Sequence, residues 1–478
     1  MGKLRIIVDN NKSRLLGDAE LIHKLRETYK IKKPGYFFSP AYRKRVWDGY
    51  QRYITEGGLV STGLLPELLP LMEKLKIGVS IEDRRIPIKI SNLKETLKGE
   101  DLFAHQVESR NALFNNTLLG IPFMRGILND ATNAGKSYVL GSILNSLSNK
   151  HSCIIIINLT EIYEQLVVDL TKWFGKDVGQ ICAGEFKVGR YTICMAQTLY
   201  ARINKDMRIR ETLANADCVI VDEADLAISK TYKTILGFCL NAPIRVGLTG
   251  TAFLSKLKKD EWKNRELKSF FGDELHSIRN NELVDKGFST KPIIRIHTGN
   301  TTAKERGDFV LEKEKGIIKN KERNKKVWGI CQKHNSKGRI PILILIQYHQ
   351  HIKYLLKVLP EELGDLTIQS VHHKTANRRQ IFEDFNKGRI DILISSMIIK
   401  RGKNLPLIKA LVNAAGGDSH STILQILGRA LRKHKSKKKV YMDDFYDMGS
   451  YLQRHSRHRI RYYKAENFPV KELYKSKS

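Results

Sequence analysis

Cysteine, long apolar runs and acidic residues are all scarce in this 478-residue chain. Each scarcity closes off a class of protein. The six cysteines (Cys153, Cys182, Cys194, Cys218, Cys239, Cys331) are scattered, with no C-x-x-C pair. That spacing argues against a disulfide framework or a thiolate zinc site and predicts buried, reduced thiols. No apolar run approaches the roughly 20 residues that cross a bilayer. The opening MGKLRIIVDNN has neither an apolar signal core nor a small-residue cleavage site. A cytoplasmic chain with no membrane partner is expected. Acid is the third shortage: 50 Asp and Glu stand against 83 Lys and Arg, a formal net charge of +33. The excess predicts attraction to a polyanion, because each cation seated on a phosphate releases condensed counterions. Charge alone does not separate DNA from RNA.

Hydrophobic residues make up 41% of the chain, enough to fill cores, and the length predicts two to four domains. Residues 1–95 mix strand-like runs (LRIIV, the alternating IPIKI) with helix-like stretches, punctuated by Gly57-Gly58, Pro66 and Pro70. They read as a small α+β domain. From residue 96, apolar runs of four to six residues (IIIIN, YTICMA, CVIVD, RVGLTG) alternate with longer helix-like stretches. That rhythm predicts a buried parallel sheet with covering helices. It restarts near GFSTKPIIRI (287–296) and continues through ILILI, IQSV, DILIS and KALVNA. The expected fold class is therefore α/β, with lobes over 96–288 and 289–449 and a basic tail over 450–478. A charged stretch at 303–326 reads as a solvated helix. For the tail (RHSRHRIRYYK), a nucleic-acid contact and a solvated end are both open.

Asp130-Ala131-Thr132-Asn133-Ala134-Gly135-Lys136-Ser137 has the x4-G-K-S core of a phosphate-binding loop, set between an apolar run and a helix-like stretch. Backbone amides of such a loop and the following helix N-terminus cradle phosphate oxygens. Lys136 would reach the β/γ-phosphates of ATP, and the Ser137 hydroxyl would ligate Mg²⁺. Asp130 stands where the first glycine usually does. Asn133 stands where positive φ is often needed, which asparagine tolerates. Downstream, the apolar strand CVIVD ends in Asp222 and Glu223. Asp222 would hold Mg²⁺ and Glu223 would polarise the attacking water. Loop and acidic strand end together predict nucleotide hydrolysis by a P-loop NTPase.

With those residues in place, the chain from about 100 to 445 resembles the superfamily 2 helicases and translocases, motif by motif and in family order. The resemblance implies two RecA-like lobes with ATP·Mg²⁺ between them. It implies that Gln106 reads adenine and that Thr132, Asn133, Ala134 and Gly135 line the nucleotide. Thr160 in INLTEIYEQ and Thr198 in AQTL are similar to strand-binding motifs. Thr249-Gly250-Thr251 resembles motif III, which couples hydrolysis to lobe movement. Ser396 through Asn404, with Arg401-Gly402, resembles motif V: Ser396 on the strand, Gly402 at the nucleotide. Asn404 departs from the usual acid there. Gln425, Gly428, Arg429 and Arg432 match motif VI, whose arginines act on the γ-phosphate. The string Asp222-Glu223-Ala224-Asp225 spells DEAD, yet Thr249-Gly250-Thr251 and Gln425 do not fit DEAD-box RNA helicases.

Residues 36–70 resemble the small N-terminal domain of phage UvsW-type helicases, with a Trp47-Asp48-Gly49 turn and a later TGLL. That likeness implies remodelling of branched DNA: forks, four-way junctions, D-loops and R-loops, including RNA–DNA hybrids. It implies 3′ to 5′ movement, action as a monomer, and the cytoplasm of an infected bacterium. Arg43, Lys44, Arg45 and Trp47, with Tyr42, Tyr50, Arg52 and Tyr53, interleave cations with rings, a pattern that can grip phosphates and stack on bases. Whether Trp47 and Tyr50 instead fill a small core is open from sequence. An RNA helicase and an ATP-gated clamp without strand separation are the alternatives.

Overall fold

Runs of β-branched residues bounded by turn formers become central strands wherever both faces can be covered by helices. In the computed structural model, which describes residues 2–91, 93–253, 260–300, 308–400, 405–418 and 420–475, this happens twice. The chain divides into two compact units: Met1–Ala131 with Gly135–Ile278, and Thr132–Ala134 with Arg279–Ser478.

The first unit holds an eight-stranded sheet. Its order is Glu185–Lys187, Val178–Cys182, Tyr191–Met195, Cys153–Ile157, Cys218–Asp222, Ile244–Thr249, Arg125–Asp130, Glu274–Ile278. Every pairing is parallel except that of the first two strands. The four apolar runs of the sequence occupy its middle and are buried apart from Met195 and Asp222 at two strand ends. The second unit holds a seven-stranded, wholly parallel sheet. Its order is Ile368–Val371, Ile392–Ser395, Ile342–Leu345, Ala410–Asn413, Lys439–Tyr446, Lys291–Thr298, Val470–Glu472. Two parallel-sheet lobes were expected, and two are present.

Residues 1–91 form a four-stranded sheet (Leu59–Ser61, Lys12–Gly17, Lys3–Val8, Gly78–Asp83) with helices Ala19–Thr28 and Leu65–Lys74. The module is keyed to the first unit's helix Glu261–Phe271. The Arg265 guanidinium lies 3.9 Å from the centroid of the Tyr29 ring and donates to the Tyr29 carbonyl at 2.7 Å. Lys268 bonds Glu67 at 2.8 Å, and the Tyr53 hydroxyl donates to the Trp262 carbonyl at 3.1 Å. A side chain at Gly63 would begin 2.2 Å from the Lys268 carbonyl oxygen, so glycine permits this approach.

Three local readings differ from the structure. The alternating IPIKI is not a strand: Gly78–Asp83 ends before it, and Ile90 makes only an isolated bridge to Leu147. Pro87 supplies no ladder donor. The 303–326 stretch is not a solvated helix. Residues 301–307 lie outside the described residues, and helix Lys321–Asn335 buries Arg323, Asn324, Val327 and Trp328. Arg323 bonds Asp447 at 2.8 Å. Nor is 450–475 a solvated end. Ser450–Ala465 is a helix that buries Leu452, His455, Arg459 and Tyr463 at helical spacing, and Val470–Glu472 adds an edge strand.

Candidate nucleotide site and nucleic-acid surfaces

The phosphate loop joins strand Arg125–Asp130 to helix Lys136–Ser146. Two of its residues are left-handed, Asn133 at φ 84° and Gly135 at φ 78°. Gly135 is also required by space, because a Cβ there would meet the Gln106 amide at 2.2 Å. Gln106 is buried, and its Oε1 accepts from the Phe103 amide at 3.0 Å, fixing the side chain beside the loop. Lys136 Nζ donates to the Asp130 carbonyl at 3.0 Å. Ser137 follows in the first helical turn, where backbone N–H groups lack intrahelical acceptors.

Asp130 explains the missing glycine. It is buried at the end of a strand, where no left-handed conformation is needed. One carboxylate oxygen accepts from Ser109 Oγ at 2.6 Å, and the other lies 2.6 Å from His276 Nδ1. No spacing in the chain announces Ser109 or His276, which arrive from a helix and from the sheet edge.

Asp222 ends strand Cys218–Asp222, and its Oδ1 accepts from the Glu223 amide at 3.0 Å. Glu223 itself is left-handed, φ 55°. For a side chain other than glycine, asparagine or aspartate, that conformation costs about 1–2 kcal/mol; such strain clusters at functional sites. On the neighbouring strand Thr249 Oγ1 accepts from the Thr251 amide at 3.2 Å, closing a turn around Gly250. Register sets Asp222 beside Leu248 and Asn129 beside Thr249. The loop, Thr249 and the Asp222–Glu223 pair therefore line one edge of three adjacent parallel strands. Ligands of open α/β sheets bind at that carboxyl edge. A glycine-permitted loop at a helix start and two carboxylates on the same edge suit a nucleotide triphosphate with a divalent cation.

Thr160 is exposed at the start of the helix after Cys153–Ile157. Thr198 is half-buried on helix Ala196–Arg202, after the adjacent strand. Gln197 ties the two segments by donating to the Asn158 carbonyl at 2.8 Å.

In the second unit Ser396 is buried just beyond strand Ile392–Ser395. Arg401, Gly402 and Asn404 lie outside the described residues. Gln425 and Arg429 are buried on helix His420–Ala430, and burial pushes the Arg432 guanidinium below its ordinary pKa. Thr132–Ala134 counts with this unit. Asn133 Nδ2 donates to the Gly428 carbonyl at 2.6 Å, and Arg432 Nε donates to Asn133 Oδ1 at 2.9 Å.

On the N-terminal module Arg43, Lys44 and Arg45 are exposed, and Trp47 is half-buried with its Nε1 donating to the Tyr50 carbonyl at 2.8 Å. Arg52 is not free: it clasps Glu27 and Asp48 at 2.7 and 2.6 Å. Tyr50 is half-buried, with Lys30 Nζ 4.3 Å from its ring centroid. Phe37, Phe38 and Val46, not singled out from the sequence, are 52%, 69% and 80% exposed. Phe37 and Val46 line an open groove of about 720 Å³ with Arg43, Arg45, Tyr42 and Trp47. Large exposed apolar side chains among cations mark an interaction face.

Two family descriptions match the chain. "Type III restriction enzyme, res subunit" matches residues 100–254, and "Helicase conserved C-terminal domain" matches residues 322–434. The chain is similar to the ATP-dependent DNA helicase uvsW of Enterobacteria phage T4. They are 22% identical over 482 residues, covering 93% of this chain and 94% of that protein. It is similar to the DNA 3′-5′ translocase XPB2 of Sulfurisphaera tokodaii, 23% identical, over 65% of this chain and 75% of that one. Among solved structures, S. cerevisiae Dbp5 bound to RNA and ADP BeF3 shares the fold. Its TM-score is 0.52 at 13% identity, over 78% of this chain and 90% of that chain. Among the described residues no helix is long and apolar enough to cross a membrane.

Proposed function

We propose that this chain, an ATP-dependent enzyme that belongs to the superfamily 2 helicases, unwinds or branch-migrates DNA at forks, four-way junctions, D-loops or R-loops. The observation that carries the motor chemistry is the meeting of the phosphate loop, Thr249 and Asp222–Glu223 on one sheet edge. ATP with Mg²⁺ would supply the hydrolysable phosphoanhydride. Lys136 would hold the β/γ-phosphates, Ser137 and Asp222 the cation, and Glu223 would orient and polarise water. Gln106, beside Gly135, would read the base, and Gly402 would line the nucleotide. Gln425, Arg429 and Arg432 would complete the charge stabilisation. Thr249, Gly250 and Thr251 would couple hydrolysis to movement.

Thr160, Thr198 and Ser396 would track one strand. The groove of Arg43, Arg45, Phe37 and Trp47, with Lys44 exposed beside it, would engage the branch, cations on phosphates and rings on unpaired bases. Similarity to a DNA helicase and to a DNA 3′-5′ translocase supports DNA and 3′ to 5′ polarity. A monomer acting in the cytoplasm of an infected bacterium fits the phage likeness.

The test compares ATPase stimulation and strand displacement on forks, four-way junctions, D-loops, R-loops, plain duplex and structured RNA. The expected result is strongest stimulation and displacement on branched DNA. RNA as sole stimulator ends the DNA reading, and hydrolysis without displacement on any junction makes the protein an ATP-gated clamp.

A further inference from the structure

Strand Lys439–Tyr446 runs parallel to Lys291–Thr298, and the register sets Lys291 opposite Lys439. Like charges directly opposite in a sheet repel, so uncompensated positive charge is concentrated where these two strands begin. A bridge between Ser289 and Arg432 brings the loop before one strand beside the hairpin before the other, and the hairpin closes at His434–Lys437. Between them is an open pocket of about 940 Å³, walled by Lys291, Lys433, Lys435 and Lys438 against a single carboxylate, Asp285. Among the described residues none of these four lysines forms an ion pair. Elsewhere in the same unit Lys464 and Lys475 both clasp Glu472. A fifth lining lysine, Lys437, is buried and donates to the Ala430 and Ile408 carbonyls at 2.6 and 3.2 Å, which pins the hairpin in place.

The lining contains no Phe, Tyr or Trp. Single strands are gripped by stacking platforms as well as cations, whereas duplexes can be held by backbone phosphates alone. We propose that this lysine pocket seats the phosphodiester backbone of a duplex arm of the branched substrate. The inference rests on the branched-DNA reading above. It adds a second contact, in which phosphates are gripped without reading sequence.

The experiment uses the full chain with Lys291→Gln, Lys435→Gln and Lys438→Gln combined. Binding to a four-way junction and to a single strand of equal length is measured across a salt series. On the junction, the slope of log K against log salt is expected to shrink by about 2 to 3, near one unit per lost phosphate contact. Affinity should fall at least about tenfold near physiological salt. Single-strand affinity and single-strand-stimulated ATPase should hold, and the melting temperature should stay level or rise, since repulsion is relieved. The matching Lys→Arg triple should restore the junction slope. An unchanged junction slope overturns the proposal, as does equal loss on junction and single strand. Protection by inorganic tripolyphosphate together with an unchanged slope assigns the pocket to small anions and also overturns it. If the wild type shows no preference for junctions over single strands, the branched-DNA reading fails, a result separable from any behaviour of the variant.

Discussion

The two parallel sheets share a topology class but are held together differently. In the first, Cys153–Ile157 and the first four residues of Cys218–Asp222 are buried hydrocarbon and thiol, and the carboxylates wait at the strand end. Its buried arginines sit at strand starts: Arg125 donates to the Asn10 and Phe270 carbonyls, and Arg245 to the Ala242 carbonyl. In the second, Lys439–Tyr446 carries charge into the interior. Burial would raise the Asp443 carboxyl, but hydrogen bonds from His297, His334 and Arg295 overcome this and hold it well below the ordinary range. Asp444 takes Arg459 at 2.9 Å and the Tyr463 hydroxyl at 2.7 Å, and Asp447 takes Arg323. A hydrocarbon interior confines polar groups to the strand ends, where a ligand can reach them. An ion-paired interior commits them to structure.

The sharpest way to break this contrast is Lys136→Ala. Hydrolysis should fall to background while most DNA affinity stays, because the proposed phosphate contacts to DNA lie elsewhere. The melting temperature should move little, since the half-buried lysine bonds the Asp130 carbonyl rather than a buried carboxylate. Retained turnover would mean that the loop has been misassigned. Next in size, Arg429→Ala should lower kcat about a thousandfold, within the range for arginine fingers, with a smaller loss of ATP binding measured by nucleotide titration. A defect in ATP binding alone would place Arg429 on the structural side of the contrast. Third, Asp444→Ala should cost about 3–5 kcal/mol in denaturant unfolding of the second unit, because Arg459 would be left buried without its carboxylate. Asp222→Ala should cost far less. Equal melting of the two variants would erase the distinction between the sheets. Pairing Asp444→Leu with Arg459→Leu should recover most of the loss, as buried ion pairs replaced by hydrocarbon commonly do.

The same contrast explains what could be read from the chain. Apolar runs such as CIIII and IRVGL announce their own burial, so both sheets and their order of α/β alternation were legible. So were the loop and the Asp222–Glu223 strand end, since local spacing is all they need. Charged residues that meet across hundreds of positions leave no such trace. Arg323 sits in a stretch that reads as a solvated helix, and Arg459 in one that reads as a basic end; each is buried because Asp447 or Asp444 waits on a distant strand. Ser109 and His276, which fill the place of the missing loop glycine by holding Asp130, were invisible for the same reason. The aromatics of residues 36–50 divide in a way no pattern foretold, Trp47 half-buried and Phe37 and Phe38 exposed.

The last prediction lies with Lys437, the second unit's one lining lysine of the basic pocket that is buried rather than exposed. Desolvation lowers its pKa from 10.5 to about 7, and its acceptors are two carbonyls rather than a carboxylate. Between about pH 7 and 10.5 the unfolded chain holds this proton while the folded chain has released it. Unfolding then takes up a proton, so stability rises with pH across that window and levels off above it. The slope for one group is at most about 1.4 kcal/mol per pH unit. Lys437→Met removes the titration and keeps much of the side-chain volume. Denaturant midpoints of wild type and variant, measured from pH 6.5 to 10, should therefore diverge in the wild type's favour as pH rises. Parallel curves would mean that Lys437 keeps its proton in the fold, and that even a buried ammonium here is held by carbonyls strongly enough to offset its desolvation.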